Sequence, residues 1–360
     1  MSGHPRKVRV AVLFGGRSSE HQVSCVSAAN VMRSLDPERY DVVPIGIARD
    51  GRWVLASNDP EHYAITGRSL PEVTDGTPVV LQADPSARSL TVLEPHAGAP
   101  VLAGVDVVFP VLHGRFGEDG TIQGLLEVAG IPYVGAGVLG SAVALDKEYM
   151  KKLLAAEGLP IGPHTVVRRG GDLPASERER LGLPAFAKPA TGGSSIGITR
   201  ITDWAELPEA LRIAREVDPK VLVEAAIGGR EIECGVLESE TGSEPDVSVP
   251  AEIRMHEAGT WYDFDNKYLD DAAEFVVPAD LPDDVTARVR ELAGRAFTAL
   301  DGAGLARVDF FIDDDGTTTV NEVNTIPGFT PISLFGRAWE ASGLPFEKVV
   351  DRLIATALRR

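Results

Sequence analysis

The segment Gly304-Leu-Ala-Arg307-Val-Asp309-Phe-Phe-Ile, followed by Val320-Asn-Glu322-Val-Asn324-Thr-Ile-Pro-Gly328, constrains this chain more than any other. Two runs of β-branched and aromatic residues flank an acidic turn at 313–316, whose Asp-Gly step signals a hairpin. Side chains alternate across a strand, so Arg307 and Asp309 share one face, and Glu322 and Asn324 share one face of the partner strand. If those faces coincide, two carboxylates, an amide oxygen and a guanidinium converge. Oxygen donors of that kind suit Mg²⁺, which completes its shell with water and substrate phosphates. A cation beside a fixed arginine is equipment for phosphoryl transfer. Taken alone, the same segment also reads as a solvent-facing acidic hairpin.

A chain of 360 residues exceeds one hydrophobic core, so two or three domains are expected. No apolar run approaches the ~20 residues of a membrane helix. The N-terminus passes directly into a strand without a signal-peptide core, which reads as cytoplasmic. Cys25 and Cys234 show no metal-binding spacing and read as reduced core thiols. A net charge of −18 argues against nucleic acid as a partner and requires any nucleotide site to supply its own positive charge. Only eight of the 35 basic residues are lysines, and Lys147, Lys188 and Lys267 lie in the most motif-like segments.

Residues 7–14 form a Val-rich run that breaks at Gly15-Gly16. A helix capped by Ser18 or Ser19 and running to Leu35 follows, then a strand at 40–47. This is the βαβ opening of a doubly wound sheet. Residues 57–100 read as an excursion with weak strands at 79–82 and 90–93, and 105–111 as another buried strand. One helix is expected over 140–157. Strands follow at 163–167, 185–188, 198–201 and 220–224, with a helix at 205–216. A strand crossing between lobes is expected at 221–231, and a long loop at 254–271. Val285, Val289, Leu292, Ala296 and Leu300 recur at the spacing of an amphipathic helix.

Gly135-Ala-Gly137-Val-Leu-Gly140 fits a dinucleotide fingerprint, but the strand before it is very short and no acid follows in the right context. Close packing at a helix start is the better reading. No lysine precedes Ser or Thr, which excludes a Walker A loop. In Lys188-Pro-Ala-Thr-Gly192-Gly193-Ser194-Ser195-Ile-Gly197 a strand-end lysine leads into a small-residue loop offering backbone N–H groups to an anion, flexible enough to act as a lid. Glu224 or Glu231 is placed to bond sugar or amino groups. The strand-end loops with Glu20 and with His113 lie where open α/β sheets bind ligands. Lys267-Tyr268 sits in a polar loop able to close over a site.

In this order, Phe14–Ser24, Leu112–Gly124, Leu145-Asp-Lys147, Lys188–Gly197, Tyr262–Leu269 and 304–333 resemble the D-alanine–D-alanine ligases of the ATP-grasp superfamily. The resemblance spans the chain nearly end to end. Phe116 and Val323 are variants within its motifs, and 57–100 matches the longer-loop members. It implies an α/β ATP-grasp fold: an N-terminal doubly wound parallel-sheet domain (1–136) and two α+β lobes (137–226 and 227–360) gripping ATP.

By motif position, Lys147 and Lys188 would meet the ATP phosphates under the Ser194-Ser195 loop. Glu224, Ala226, Ile227 and Glu231 would hold adenine and ribose. Asp309, Glu322 and Asn324 would bind two Mg²⁺ (or Mn²⁺). Glu20 would hold the first D-alanine's ammonium within a Glu20–Ser194–Tyr268 hydrogen-bond set. Arg307 and the Gly328 N–H would stabilise an oxyanion, while Ser333, Lys267 and His113 would meet the second substrate, Lys267 also serving ATP. A homodimer acting on small molecules is implied. The alternatives are a D-alanine–D-lactate ligase or another ATP-grasp carboxylate–amine ligase, an ATP-binding sensor, or an NAD oxidoreductase built on Gly135–Gly140.

Overall fold

The computed structural model describes residues 6–67, 69–87, 90–92, 101–102, 104–242, 244–256 and 273–360. Val8–Gly15 (β1) and Tyr40–Ile47 (β2) pair in parallel, joined by the helix His21–Ser34 (α1). Val10, Val12 and Phe14 pack into one core and Ala11 and Leu13 into another, so β1 buries both faces. That is why its sequence is an unbroken apolar run. The excursion builds Trp53–Leu55 (β3), Thr77–Leu81 (β4), Leu90–Val92 (β5) and Val101–Leu102 (β6), and Val107–Pro110 (β7) joins the far side of β1. The seven strands order as β6-β5-β4-β3-β2-β1-β7. Only β7, β1 and β2 are parallel, and the excursion extends the sheet antiparallel.

Thr121–Val128 (α2) is followed by Val138–Leu145 (α3) and Lys147–Ala156 (α4). The single helix expected over 140–157 is thus two. Asp146 takes an extended conformation, and its side chain accepts the N–H groups of Glu148 and Tyr149, capping a new helix. Gly140 serves packing, since a Cβ there would stand 2.7 Å from the Asp301 carbonyl oxygen.

A second sheet comprises His164–Val167 (β8), Ala185–Pro189 (β9), Thr199–Ile201 (β10) and Val221–Ala225 (β11), in the order β10-β9-β11-β8. Ala175–Leu181 (α5) and Leu207–Val217 (α6) contribute to its core, α6 through Leu207, Ala210, Leu211 and Ala214. The chain leaves this sheet at 226–229 and enters a third at Arg230, so the expected crossing strand is two strands in different sheets. Gly229 makes the passage with φ +111°, where a Cβ would fall 2.2 Å from the Ile312 carbonyl oxygen.

The third sheet holds Arg230–Leu237 (β12), Asp246–Val247 (β13), Ala251–Met255 (β14), Ala273–Val276 (β15), Leu305–Ile312 (β16) and Thr318–Asn324 (β17), ordered β15-β14-β12-β16-β17 with β13 beside β12. Thus β14 occupies the start of the expected 254–271 loop. The amphipathic helix, Asp283–Ala299 (α7), buries Val289, Leu292 and Ala296 against Ile232, Val308 and Phe310. Leu334–Ala341 (α8) and Phe346–Ala357 (α9) pack Phe335, Trp339, Leu353 and Ile354 into the same core as Val10, Phe14 and Phe109 of the first sheet. Cys25 and Cys234 are buried free thiols. Among the described residues no helix is long and apolar enough to cross a membrane.

Candidate active site

The β16–β17 hairpin sets Arg307 opposite Asn324 and Asp309 opposite Glu322. A bulge between Asp309 and Phe310 produces this register. Without it, the Phe310–Val320 pairing would place Asn321 and Val323 on the arginine's face. On the other flank β12 sets Glu233 opposite Asp309, so three carboxylates line up across three strands. Arg307 donates from Nε to Asp309 Oδ1 (2.7 Å) and from Nη2 to Oδ2 (2.7 Å), with Glu233 Oε1 at 3.3 Å. Burial opposes the guanidinium's charge, but Asp309 and Glu233 outweigh it and hold the group ionised. Glu233 escapes sequence reasoning: alternation with Ile232 and Cys234 gives its face, but nothing local gives its register.

The break at Asp146 puts Lys147 in the first turn of α4. Its Nζ donates to Glu322 Oε1 (2.6 Å) and to the Gly192 carbonyl (2.9 Å). Burial lowers its proton affinity, yet Glu322 more than restores it, so Lys147 is a cation. On the second sheet Lys188 forms an ion pair with Glu224 Oε2, and Lys151, one turn beyond Lys147, stands 3.3 Å from Glu224 Oε1. Burial favours the neutral Glu224, but the two lysines prevail and hold its pKa down to about 2. Lys151 was legible only as the i+4 neighbour of Lys147. Burial depresses its proton affinity despite Glu224.

The Gly192–Ser195 loop carries left-handed backbone at Ser194 (φ 46°) and Ser195 (φ 60°), and Ser194 Oγ donates to Glu20 Oε1. Glu20 is the N-cap residue of α1, but no side chain caps that helix, contrary to the expectation for Ser18 or Ser19. Ser18 Oγ instead accepts the Glu20 N–H at 3.2 Å. Two loops converge on the Glu20 carboxylate because both present glycine. A Cβ on Gly193 or Gly114 would lie 2.8 or 2.9 Å from Oε2.

Buried His113 faces the Ile326 carbonyl through Nδ1 (3.0 Å), and since a carbonyl only accepts, Nδ1 carries the proton. Burial lowers its pKa and keeps the ring neutral. Glu118, also missed from sequence, accepts the N–H groups of Gly114 (2.7 Å) and Ile326 (3.1 Å). Burial, reinforced by Glu20, pushes its pKa up to about 8.

Apart from Lys151, these groups surround one cavity of about 780 Å³, within the range of ligand pockets. Glu20, His113, Lys147, Lys188, Ser194, Ser195, Glu224, Ile227, Glu231, Arg307, Asp309, Glu322, Asn324, Gly328 and Ser333 all line it. Ala226 does not: its N–H is spent on the Pro184 carbonyl, and Ala225 lines the wall instead. Lys267 and Tyr268 lie outside the described residues.

Asp309 and Glu322, facing one another across the ladder, are hard oxygen donors that fit Mg²⁺ in kind. Asn324 turns its Nδ2 to Asp309 Oδ2 (2.9 Å), and a half-turn of that amide would offer its oxygen. Among the described residues no three His, Cys, Asp or Glu side chains converge as a ready metal site. Donors beyond this set would come from water and phosphate, as Mg²⁺ sites usually arrange.

The model for the D-ala D-ala ligase N-terminus matches residues 9–136, and that for the C-terminus residues 153–355. The chain belongs to the D-alanine–D-alanine ligase family. Its architecture is the family's ATP-grasp fold. It is 59% identical over 361 residues to the D-alanine–D-alanine ligase of Rhodococcus opacus (strain B4), covering 98% of each chain. It is 58% identical over 369 residues to that of Mycobacterium sp. (strain KMS), covering 100% of this chain and 99% of the relative. Among solved structures, the D-alanine–D-alanine ligase from Coxiella burnetii superposes with TM-score 0.83 at 33% identity, over 98% of this chain and 94% of that one. The VanG D-Ala:D-Ser ligase from Enterococcus faecalis superposes equally, TM-score 0.83 at 34% identity, over 98% and 100%.

Proposed function

We propose that this chain joins two D-alanines to D-alanyl-D-alanine at the expense of ATP, through an acyl phosphate, for peptidoglycan precursor synthesis. One observation carries the reading: Arg307, Asp309, Glu322 and Asn324 share a cavity with the Lys147 and Lys188 cations, beneath a loop fastened to Glu20. A carboxylate is a poor acyl donor because its leaving group would be oxide. Attack of its oxygen on the γ-phosphorus releases ADP and creates a phosphate leaving group. The second amine then attacks the carbonyl carbon, and inorganic phosphate departs.

Lys147 and Lys188 neutralise the phosphate oxygens, and the backbone N–H groups of 192–195 cover them. Glu224, Ile227, Glu231 and, less directly, Ala226 border the nucleoside. When bound, two Mg²⁺ held by Asp309, Glu322 and Asn324 supply charge neutralisation for phosphoryl transfer. Glu20, oriented by Ser194, holds the first ammonium, and Tyr268 completes that set. Arg307 and the Gly328 N–H receive the negative charge that develops on the carbonyl oxygen. His113, Lys267 and Ser333 receive the second substrate, and exclusion of water by the loops protects the acyl phosphate.

The working units are 1–136, 137–226 and 227–360, in a cytoplasmic homodimer. Exposed Leu125, Val128, Val138 and Leu139 on α2 and α3 offer apolar surface for that association. D-Alanine is preferred over D-serine or D-lactate as acceptor because the relatives at 58–59% identity are D-alanine–D-alanine ligases. The test is ADP release by the purified protein with ATP, Mg²⁺ and either D- or L-alanine, with mass spectrometry of the product. ADP release that requires D-alanine, with a dialanine mass, is expected. Absence of turnover with D-alanine contradicts the substrate assignment.

A further inference from the structure

Four side chains of the first unit grip the backbone on either side of Gly328. Glu118 Oε1 accepts the Ile326 N–H (3.1 Å) and His113 Nδ1 donates to the Ile326 carbonyl (3.0 Å). Three residues on, Ser27 Oγ accepts the Phe329 N–H (3.2 Å) and Asn30 Nδ2 donates to the Phe329 carbonyl (2.8 Å). Both peptide groups of Ile326 and both of Phe329 are therefore held by side chains, leaving Pro327 and Gly328 as a two-residue bridge between fixed points. The Phe329 ring adds an apolar anchor, meeting Phe109 of β7, Phe335 of α8 and Phe346 of α9 at centroid distances of 5.9, 5.6 and 5.6 Å. Ser27 and His113 are also joined, with Oγ 3.4 Å from Nε2.

A loop of this kind ordinarily satisfies its backbone with water or its own turns. Here the donors and acceptors come from α1 and from the 113–118 loop, and Ser27 and Asn30 are absent from the cavity wall. We propose that Ser27, Asn30 and Glu118 are positioning residues that fix the 326–329 backbone from the first unit, so that the Gly328 N–H and the Asn324 end of the metal-ligand set keep one geometry relative to Glu20. The inference rests on the roles given above to Gly328 and Glu20. It assigns α1 a catalytic purpose beyond carrying Glu20: the element that presents the first carboxylate also sets the donors that the reacting carbonyl meets. A misplacement of about 1 Å in such a donor costs on the order of a hundredfold in rate.

Asn30→Ala and Asn30→Asp, each removing the donor to Phe329, test this against wild type in two ways. Steady-state kinetics is expected to show kcat for dialanine reduced about ten- to a hundredfold in both variants, on the scale of a displaced donor, with KM for ATP unchanged within about twofold because the lysine half of the cavity is untouched. Amide hydrogen exchange is expected to speed up in the peptide spanning 325–330 and to stay at wild-type rates in 221–237. A purely structural role would instead move stability and KM together. Wild-type kcat in both variants overturns the proposal, as does unchanged exchange at 325–330. Should wild type itself make no dialanine, the functional reading fails, and the exchange measurement still decides whether the grip exists. Asn30→Asp preserves the side-chain shape, so loss of fold in Asn30→Ala leaves the test intact.

Discussion

Arg307 sits in a doubled bond to Asp309 with Glu233 beside it, so its charge is fixed and its direction is set before any substrate arrives. A donor held in place in this way is typically worth ~3–4 kcal/mol to a developing oxyanion. Arg307→Ala is expected to lower kcat by about 10²–10³ while KM for ATP changes only a few-fold. Equal loss in both would show that the arginine binds nucleotide instead. Glu224 yields a second prediction. Its folded pKa of about 2 lies below the ordinary 4.5 of a glutamate because Lys188 and Lys151 oppose the burial penalty. The folded state then binds fewer protons, so the stability it contributes is complete above pH 4.5 and is lost as pH falls toward 2. That contribution is on the order of 3 kcal/mol. Urea unfolding at pH 5 and pH 3 is expected to show wild type losing more stability than Glu224→Gln between the two values, and parallel losses would refute the assignment.

At the scale of elements, local irregularities place the chemistry. The Asp146 break turns one long helix into two and delivers Lys147 in a helical first turn, with Asp146 also paired to Lys220 at Nζ–Oδ1 2.7 Å. Asp146→Ala removes a cap worth about 1 kcal/mol and frees the start of α4. Thermal unfolding is expected to fall by a few degrees, and KM for ATP to rise more than kcat falls. An unchanged KM would show that Lys147 keeps its place without the break.

Which elements existed was largely legible, because periods of two and of 3.6 residues belong to the residues themselves. The Lys188 loop was legible from its strand-end lysine and small residues, and alternation gave which acids share a face within β16 and within β17. The bulge after Asp309 was not, and neither was the Glu233 register, since both depend on which strand pairs with which. Glu118 was missed because burial in a fold of backbone N–H groups leaves no local pattern, and Lys151 offered only its i+4 spacing from Lys147. The Asp146 break was hidden by good helix formers on both sides.

Across the whole molecule, the first and third sheets share one core, while the second keeps its own. Helices α8 and α9 from the C-terminal end cover one face of the first sheet, so the chain closes on itself. The cavity draws Glu20 and His113 from the first sheet's loops, Lys188 and Glu224 from the second sheet, and Arg307 and Glu322 from the third. On the function proposed above, a cavity walled by all three sheets would keep water from the acyl phosphate. The most direct measurement of this account starts from D-alanine labelled with ¹⁸O in its carboxylate, incubated with the protein, ATP and Mg²⁺. If an acyl phosphate forms, one labelled oxygen must leave with the phosphate, and inorganic phosphate carrying a single ¹⁸O should appear in step with dialanine. Dialanine accompanied only by unlabelled phosphate would contradict carboxylate activation by phosphoryl transfer, and with it the role given to this cavity.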